Sequence, residues 1–87
     1  MQSVSIYTIP MCPYCSRALK LLRMKEAEII EIAAAFNPKK KQEMIERTGG
    51  ARTFPQIFIG DIHIGGCDEL FELERDGKLD PLLNGQL

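Results

Sequence analysis

Two cysteines three positions apart, Cys12 and Cys15 in the stretch MCPYC, are the residues of this chain best suited to chemistry. Such a pair can be half of a zinc site, a structural disulfide, or a redox couple that opens and closes in each turnover. Cys67 and the single histidine, His63, would complete a four-ligand zinc set by count alone. Strand alternation argues against that set, because His63 stands between Ile62 and Ile64 and projects away from their face, as a solvated strand residue does. With one histidine and no Ser-His or Cys-His-Asp constellation, hydrolytic chemistry finds no support.

The residues around the pair say how it is held. SVSIYT, from Ser3 to Thr8, alternates Val4 and Ile6 with small polar residues, the pattern of a half-buried strand. Beyond the motif, Cys15, Ala18, Leu19 and Leu22 recur at helical spacing, and Pro13 suits a first helical position. Cys12 therefore stands at a helix N-terminus, where unpaired N–H groups and the helix dipole favour an anion. That makes Cys12 the expected nucleophile. Cys15, one turn along and facing inward, is placed to attack a mixed disulfide on Cys12 and release the bound thiol.

The remaining elements follow in order. EAEIIEIAAAF is ambiguous between strand and helix, and its isoleucines favour a strand. Asn37 can cap and Pro38 can start a second helix, with Met44, Ile45 and Thr48 inward and Gly49 ending it. PQIFIGDIHIGG predicts an antiparallel hairpin turning at Gly60-Asp61. A third helix follows Gly65-Gly66, with Leu70, Phe71 and Leu73 grouped and Gly77 beyond its end, and LDPLL forms a short terminal turn. The order β-α-β-α-β-β-α predicts an α/β fold with a mixed four-stranded sheet flanked by helices.

At 87 residues, one domain spanning 1–87 is expected. Hydrophobic residues at 45% and charged residues at 26% match a globular chain and exclude a disordered one. A net charge of −1 gives no basic field for nucleic acid. No leader-like N-terminus and no run of membrane-spanning length is present, so a cytoplasmic protein without membrane contacts is expected. In a reducing compartment three cysteines remain thiols unless they form a reversible couple.

CPYC after a first strand, TFP from Thr53 to Pro55, and GGCD from Gly65 to Asp68 resemble the glutaredoxins of the dithiol type. PQIFIGDIHIGGCDEL and DPLL are especially similar to the small bacterial glutaredoxin 3 group, and the resemblance covers nearly the whole chain. It implies a thioredoxin-like fold and a glutathione-dependent thiol–disulfide oxidoreductase that reduces protein disulfides and protein–glutathione mixed disulfides. Glutathione would be a co-substrate, with no tightly bound cofactor and no metal. The partners would be disulfide-containing or glutathionylated proteins, and glutathione reductase indirectly through glutathione, with the chain a monomer.

Position by position, the resemblance makes Cys12 the nucleophile, Cys15 the resolving thiol, and Tyr14 a side chain packed beside glutathione. Thr53, Phe54 and Pro55 match a segment whose peptide bond before proline is cis, leaving the Phe54 backbone free to pair with a cysteinyl peptide. Gly66, Cys67 and Asp68 match the site of the γ-glutamyl end, with N–H groups near Cys67 and Asp68 for its carboxylate and the Asp68 side chain for its ammonium. Asp68 can equally cap the third helix. Three departures stand out: Ile9 occupies a position where many members carry lysine, Phe54 replaces the commoner valine, and Glu26-Ala27 blurs the break after the first helix. Arg17 or Lys39, Lys40 and Lys41 are the cations available to compensate at Ile9. Two other functions remain to weigh: a carrier reduced by a flavin reductase, against which GGCD argues, and a metal or iron–sulfur module, which Cys15 and Pro13 disfavour.

Overall fold

The computed structural model describes residues 1–85; the domain reading to position 87 extends over two residues outside them. The strands are β1 (Ser3–Thr8), β2 (Glu28–Ala33), β3 (Gln56–Ile59) and β4 (Ile62–Gly65); the helices are α1 (Pro13–Met24), α2 (Pro38–Thr48), α3 (Cys67–Arg75) and α4 (Leu79–Leu83). One sheet runs β2-β1-β3-β4. β1 pairs parallel with β2 through the α1 crossover and antiparallel with β3, which turns at Gly60 (φ +57) into β4. This is the mixed, helix-flanked sheet of the thioredoxin-like fold. LDPLL, expected as a turn, is a short helix whose Leu79, Leu82 and Leu83 are all buried.

Alternation along β1 sends side chains to two cores. Val4 and Ile6 join Ile57 and Ile59 against α1, α3 and α4. Tyr7, on the other face, packs with Phe58 and with Met44 of α2. Tyr7 also carries the polar link to α2: its hydroxyl donates to Glu43 Oε2 at 2.6 Å and accepts from Arg47 Nη1 at 2.8 Å. The Arg47 guanidinium lies 4.0 Å from the Phe58 ring centroid, a cation–π contact that closes this face. Met44 is the fully buried centre of α2, whereas Ile30 on the edge strand β2 stays 48% exposed. That exposure explains the weak strand signal of the segment, since an edge strand covered on only part of its surface need not alternate cleanly.

The ends of the helices are set locally. Asn37 Oδ1 accepts from Lys40 N at 3.2 Å, and Gly49 at φ +74 ends α2. After α1 the chain reverses at Glu26, which holds φ +57 while its N–H bonds Arg23 O and the Ala27 N–H bonds Leu22 O. That bond pair is a Schellman closure, usually built on glycine, so the break is made despite the sequence. Lys25 Nζ then ties the end of α1 to Glu74 of α3 at 2.8 Å and to Asp80 of α4 at 2.9 Å.

Candidate active site

The site grows from the end of β1. Thr8 is followed by a loop in which Met11 takes φ +57, and Cys12 occupies the N-cap of α1 with extended backbone. Its sulfur accepts from Cys15 N at 3.2 Å, so it stands directly on the helix terminus. Cys12 is partly exposed, whereas Cys15 is only 3% exposed, and both are free thiols. Burial pushes the Cys15 thiol up to about 12; contact with the Cys12 sulfur adds to this, and the Ile9 N–H works the other way. One sulfur is thus presented to solvent at a helix start, and its partner is kept protonated one turn behind.

A second wall faces the pair. The Phe54–Pro55 peptide is cis, and Phe54 O lies 3.9 Å from Cys12 Sγ. Register pairing of β1 with β3 ends at Tyr7–Gln56, so Phe54 lies beyond the ladder with its backbone outside the sheet. The Phe54 side chain packs against the Tyr7, Met44 and Phe58 cluster, which gives the bulkier residue at this position its place.

The third wall is the start of α3. Its N-cap is Gly66, and Leu70 N is the first to return a helical bond, to Gly66 O at 3.1 Å. The N–H groups of Cys67, Asp68 and Glu69 precede that bond and are the free donors of the helix end. Asp68 is therefore not the cap: it stands in the first turn, and Glu69 reaches back to accept from Gly66 N at 2.6 Å. Gly65 holds φ +114, and a Cβ there would sit 2.8 Å from Glu69 Oε1. On Gly66 a Cβ would stand 3.3 Å from Pro55 O, so the absence of a side chain lets the second and third walls approach.

Tyr14, Thr53, Phe54, Pro55, Gly66, Cys67 and Asp68 all line one cleft of about 170 Å³, together with Gln56 and Glu69. The last two were not among the expected residues. Glu69 was findable, since a glutamate three residues after a helix cap is a recognised signal; Gln56, in a strand, had none. Cys67 as a residue is only 4% exposed and packs in the core, and burial raises its thiol pKa. Among the described residues no group of three or more His, Cys, Asp or Glu is arranged for a metal. His63 stacks on Phe58 (centroids 4.9 Å apart) while Cys67 packs with Ile57 and Ile59 in the other core, so the zinc set counted from the sequence does not assemble.

Of the cations weighed for Ile9, Lys41 lines a neighbouring cavity with Ile9, Phe36 and Phe54. Arg17 instead lies over the Phe71 ring at 5.0 Å, and Lys40 pairs with Glu43 at 3.5 Å.

An attacking sulfur at a helix start with a protonated partner behind it is what thiol–disulfide exchange requires, and the sheet that carries the pair makes this an oxidoreductase of thioredoxin-like fold. The chain belongs to the glutaredoxin family, whose sequence profile, described as Glutaredoxin, matches residues 4–64. It is accordingly a glutathione-dependent thiol–disulfide oxidoreductase acting through the C-x-x-C pair. It is 51% identical to glutaredoxin 3 of Escherichia coli over 83 residues, 95% of this chain and 99% of the relative. The solution structure of glutaredoxin from Brucella melitensis is 56% identical and superposes with a TM-score of 0.82, covering 100% of this chain and 95% of that one. A buckwheat glutaredoxin crystallised as a glutathione complex is 35% identical with a TM-score of 0.85, covering 98% of this chain and 79% of that one.

Proposed function

We propose that the chain uses glutathione as its co-substrate in the cleft between Tyr14, the Thr53–Pro55 loop and the start of α3, and that it reduces glutathionylated proteins and protein disulfides. The observation that carries this reading is the cleft: nine residues drawn from three separate segments line it, and Phe54 on its wall places its carbonyl oxygen 3.9 Å from Cys12 Sγ, which lines the adjoining cavity. The likeness to the buckwheat protein, crystallised as its glutathione complex, supports it.

In this reading Cys12 thiolate attacks the glutathionyl sulfur of a mixed disulfide. A bond forms between Cys12 Sγ and that sulfur, the S–S bond from the glutathionyl sulfur to the protein's cysteine sulfur breaks, and the protein thiolate leaves and takes up a proton. Cys12 is then uncharged and tied up in a disulfide, so the contribution of its sulfur to holding Cys15 protonated is gone. Cys15 ionises more readily at the step that needs it. Attack by a second glutathione on the bound glutathionyl sulfur restores Cys12 and forms glutathione disulfide. Attack by Cys15 on Cys12 releases glutathione and leaves the Cys12–Cys15 disulfide, which two glutathiones reduce. Glutathione reductase regenerates glutathione, and the chain works as a cytoplasmic monomer.

The free N–H groups of Cys67 and Asp68 hold the γ-glutamyl carboxylate, the Asp68 carboxylate holds the ammonium, and the Phe54 backbone pairs with the cysteinyl unit. Lys41, which shares a cavity with Ile9, serves the glycyl carboxylate. The test is a coupled assay with glutathione, glutathione reductase and NADPH on the mixed disulfide of cysteine and glutathione. Saturable glutathione-dependent NADPH oxidation is the expected result. Turnover with thioredoxin reductase and none with glutathione would overturn the reading.

A further inference from the structure

We propose that His63, on the far strand of the sheet, is a positioning residue for this cleft: through Gln56 it holds Thr53 in the orientation that receives glutathione. The proposal rests on the glutathione reading above and identifies what sets the geometry of one of its walls.

His63 is exposed, as expected of a solvated strand residue, but its ring is held by partners on the sheet. It pairs in register with Phe58, its ring stacks on the Phe58 ring, and its Nε2 lies 2.7 Å from Gln56 Oε1. Gln56 is 4% exposed, so its amide has little recourse to water. On the other side Gln56 Nε2 donates to Thr53 O and to Thr53 Oγ1, both at 3.1 Å. The chemistry of these groups fixes which atom donates and which accepts in each bond. Both partners of Gln56 Nε2 are oxygens able to accept, so the amide nitrogen faces Thr53 and the amide oxygen faces His63. His63 Nε2 must then carry hydrogen, which it does both as the Nε2–H tautomer and as imidazolium.

The direction of this relay matters. A flipped Gln56 amide would aim its oxygen at the Thr53 carbonyl, an acceptor facing an acceptor, and its nitrogen at the His63 donor, so Thr53 and His63 together select against the flip. Held as it is, Gln56 closes the loop around Phe54–Pro55 by bonding the residue before it. That loop carries Phe54 O to its place 3.9 Å from Cys12 Sγ. The Thr53 hydroxyl, already accepting from Gln56, has its own hydrogen left to donate, and among the described residues no side chain or backbone group takes it. Thr53 lines the cleft beside Tyr14 and Asp68, so that hydrogen is available to an oxygen of the ligand.

Two variants separate the hydrogen bond from the stacking. His63→Phe keeps an aromatic ring on Phe58 and removes the donor; His63→Gln restores an N–H at the end of a side chain of similar reach and removes the ring. Each is measured for KM and kcat with glutathione and the cysteine–glutathione mixed disulfide, and for the side-chain amide resonances of Gln56 by NMR. In His63→Phe the Gln56 amide should move toward the position of a free amide and KM for glutathione should rise about threefold to tenfold, the effect of one neutral hydrogen bond. The change should fall mainly on KM, and His63→Gln should return KM to within about twofold of the parent protein. An unmoved Gln56 amide in His63→Phe overturns the relay whatever the ligand. A displaced amide with unchanged KM overturns its role in binding. A parent protein that shows no saturation by glutathione sinks the proposed function instead, and the NMR arm still decides whether His63 orients Gln56.

Discussion

Raising the pH should destabilise the reduced protein through Cys15, and the size of the effect follows from where that thiol sits. Burial, reinforced by the Cys12 sulfur, moves it from an ordinary 9.0 to about 12. The sign is fixed by linkage: above the ordinary value the unfolded chain releases the proton that the native protein retains, so the unfolded state gains. The stabilising difference is fully present below pH 9.0 and is lost as the pH rises toward about 12. At about 1.4 kcal/mol for each pH unit, the loss is about 2 kcal/mol by pH ~10.5 and about 4 kcal/mol by pH ~12, a large part of a small domain's ~5–15 kcal/mol. Urea unfolding under a phosphine reductant, compared between about pH 8 and 10.5, reads it directly. Cys67, Tyr7 and Lys25 are also held above their ordinary values, and comparison with Cys15→Ser cancels their contributions because that variant retains them all. The parent protein should lose about 2 kcal/mol more than Cys15→Ser over that interval. Parallel losses in the two proteins would show that Cys15 is not held protonated by its surroundings, and the division of labour between the two sulfurs would lose its basis.

Asp68→Ala should raise KM for glutathione by about tenfold, the cost of one charge-assisted contact, with a change in melting temperature of only a few degrees, because Gly66 and not Asp68 occupies the cap; an unaltered KM would remove Asp68 from the binding site. Glu26→Gly should stabilise the protein by about 1 kcal/mol in chemical denaturation, since it relieves a left-handed backbone at a non-glycine residue; a loss of stability would mean that the Glu26 side chain contributes more than its backbone costs. Met44→Ala, which empties the centre of the α2 face, should cost about 2–5 kcal/mol of unfolding free energy.

The catalytic end of the fold was legible because its signals are local. Pro13 and the inward run from Cys15 to Leu22 define α1, Asn37-Pro38 and Gly49 bound α2, and Gly60 marks the hairpin; each requires only neighbours in sequence. Thr53–Pro55 and the GGCD stretch were legible only through family resemblance, since a loop and a helix start carry no sign in themselves that they will meet across a cleft. What stayed hidden depends on tertiary contact. α4 shows as a helix because its leucines find the core, and the break at Glu26 holds because backbone bonds to Arg23 and Leu22, together with the Lys25 ion pairs, replace the glycine signal. His63 and Gln56 lie seven residues apart on adjacent strands, so their bond depends on the hairpin register and not on a motif.

The division of roles between Cys12 and Cys15 is tested most directly by comparing Cys12→Ser and Cys15→Ser on two substrates, a glutathionylated thiol and an intramolecular protein disulfide. Cys12→Ser should be inactive on both, because the exposed attacking sulfur is gone. Cys15→Ser should still remove glutathione, with a second glutathione resolving the intermediate, and should lose most of its activity on the protein disulfide. Equal loss of both activities in the two variants, or turnover by Cys12→Ser, would contradict the assignment.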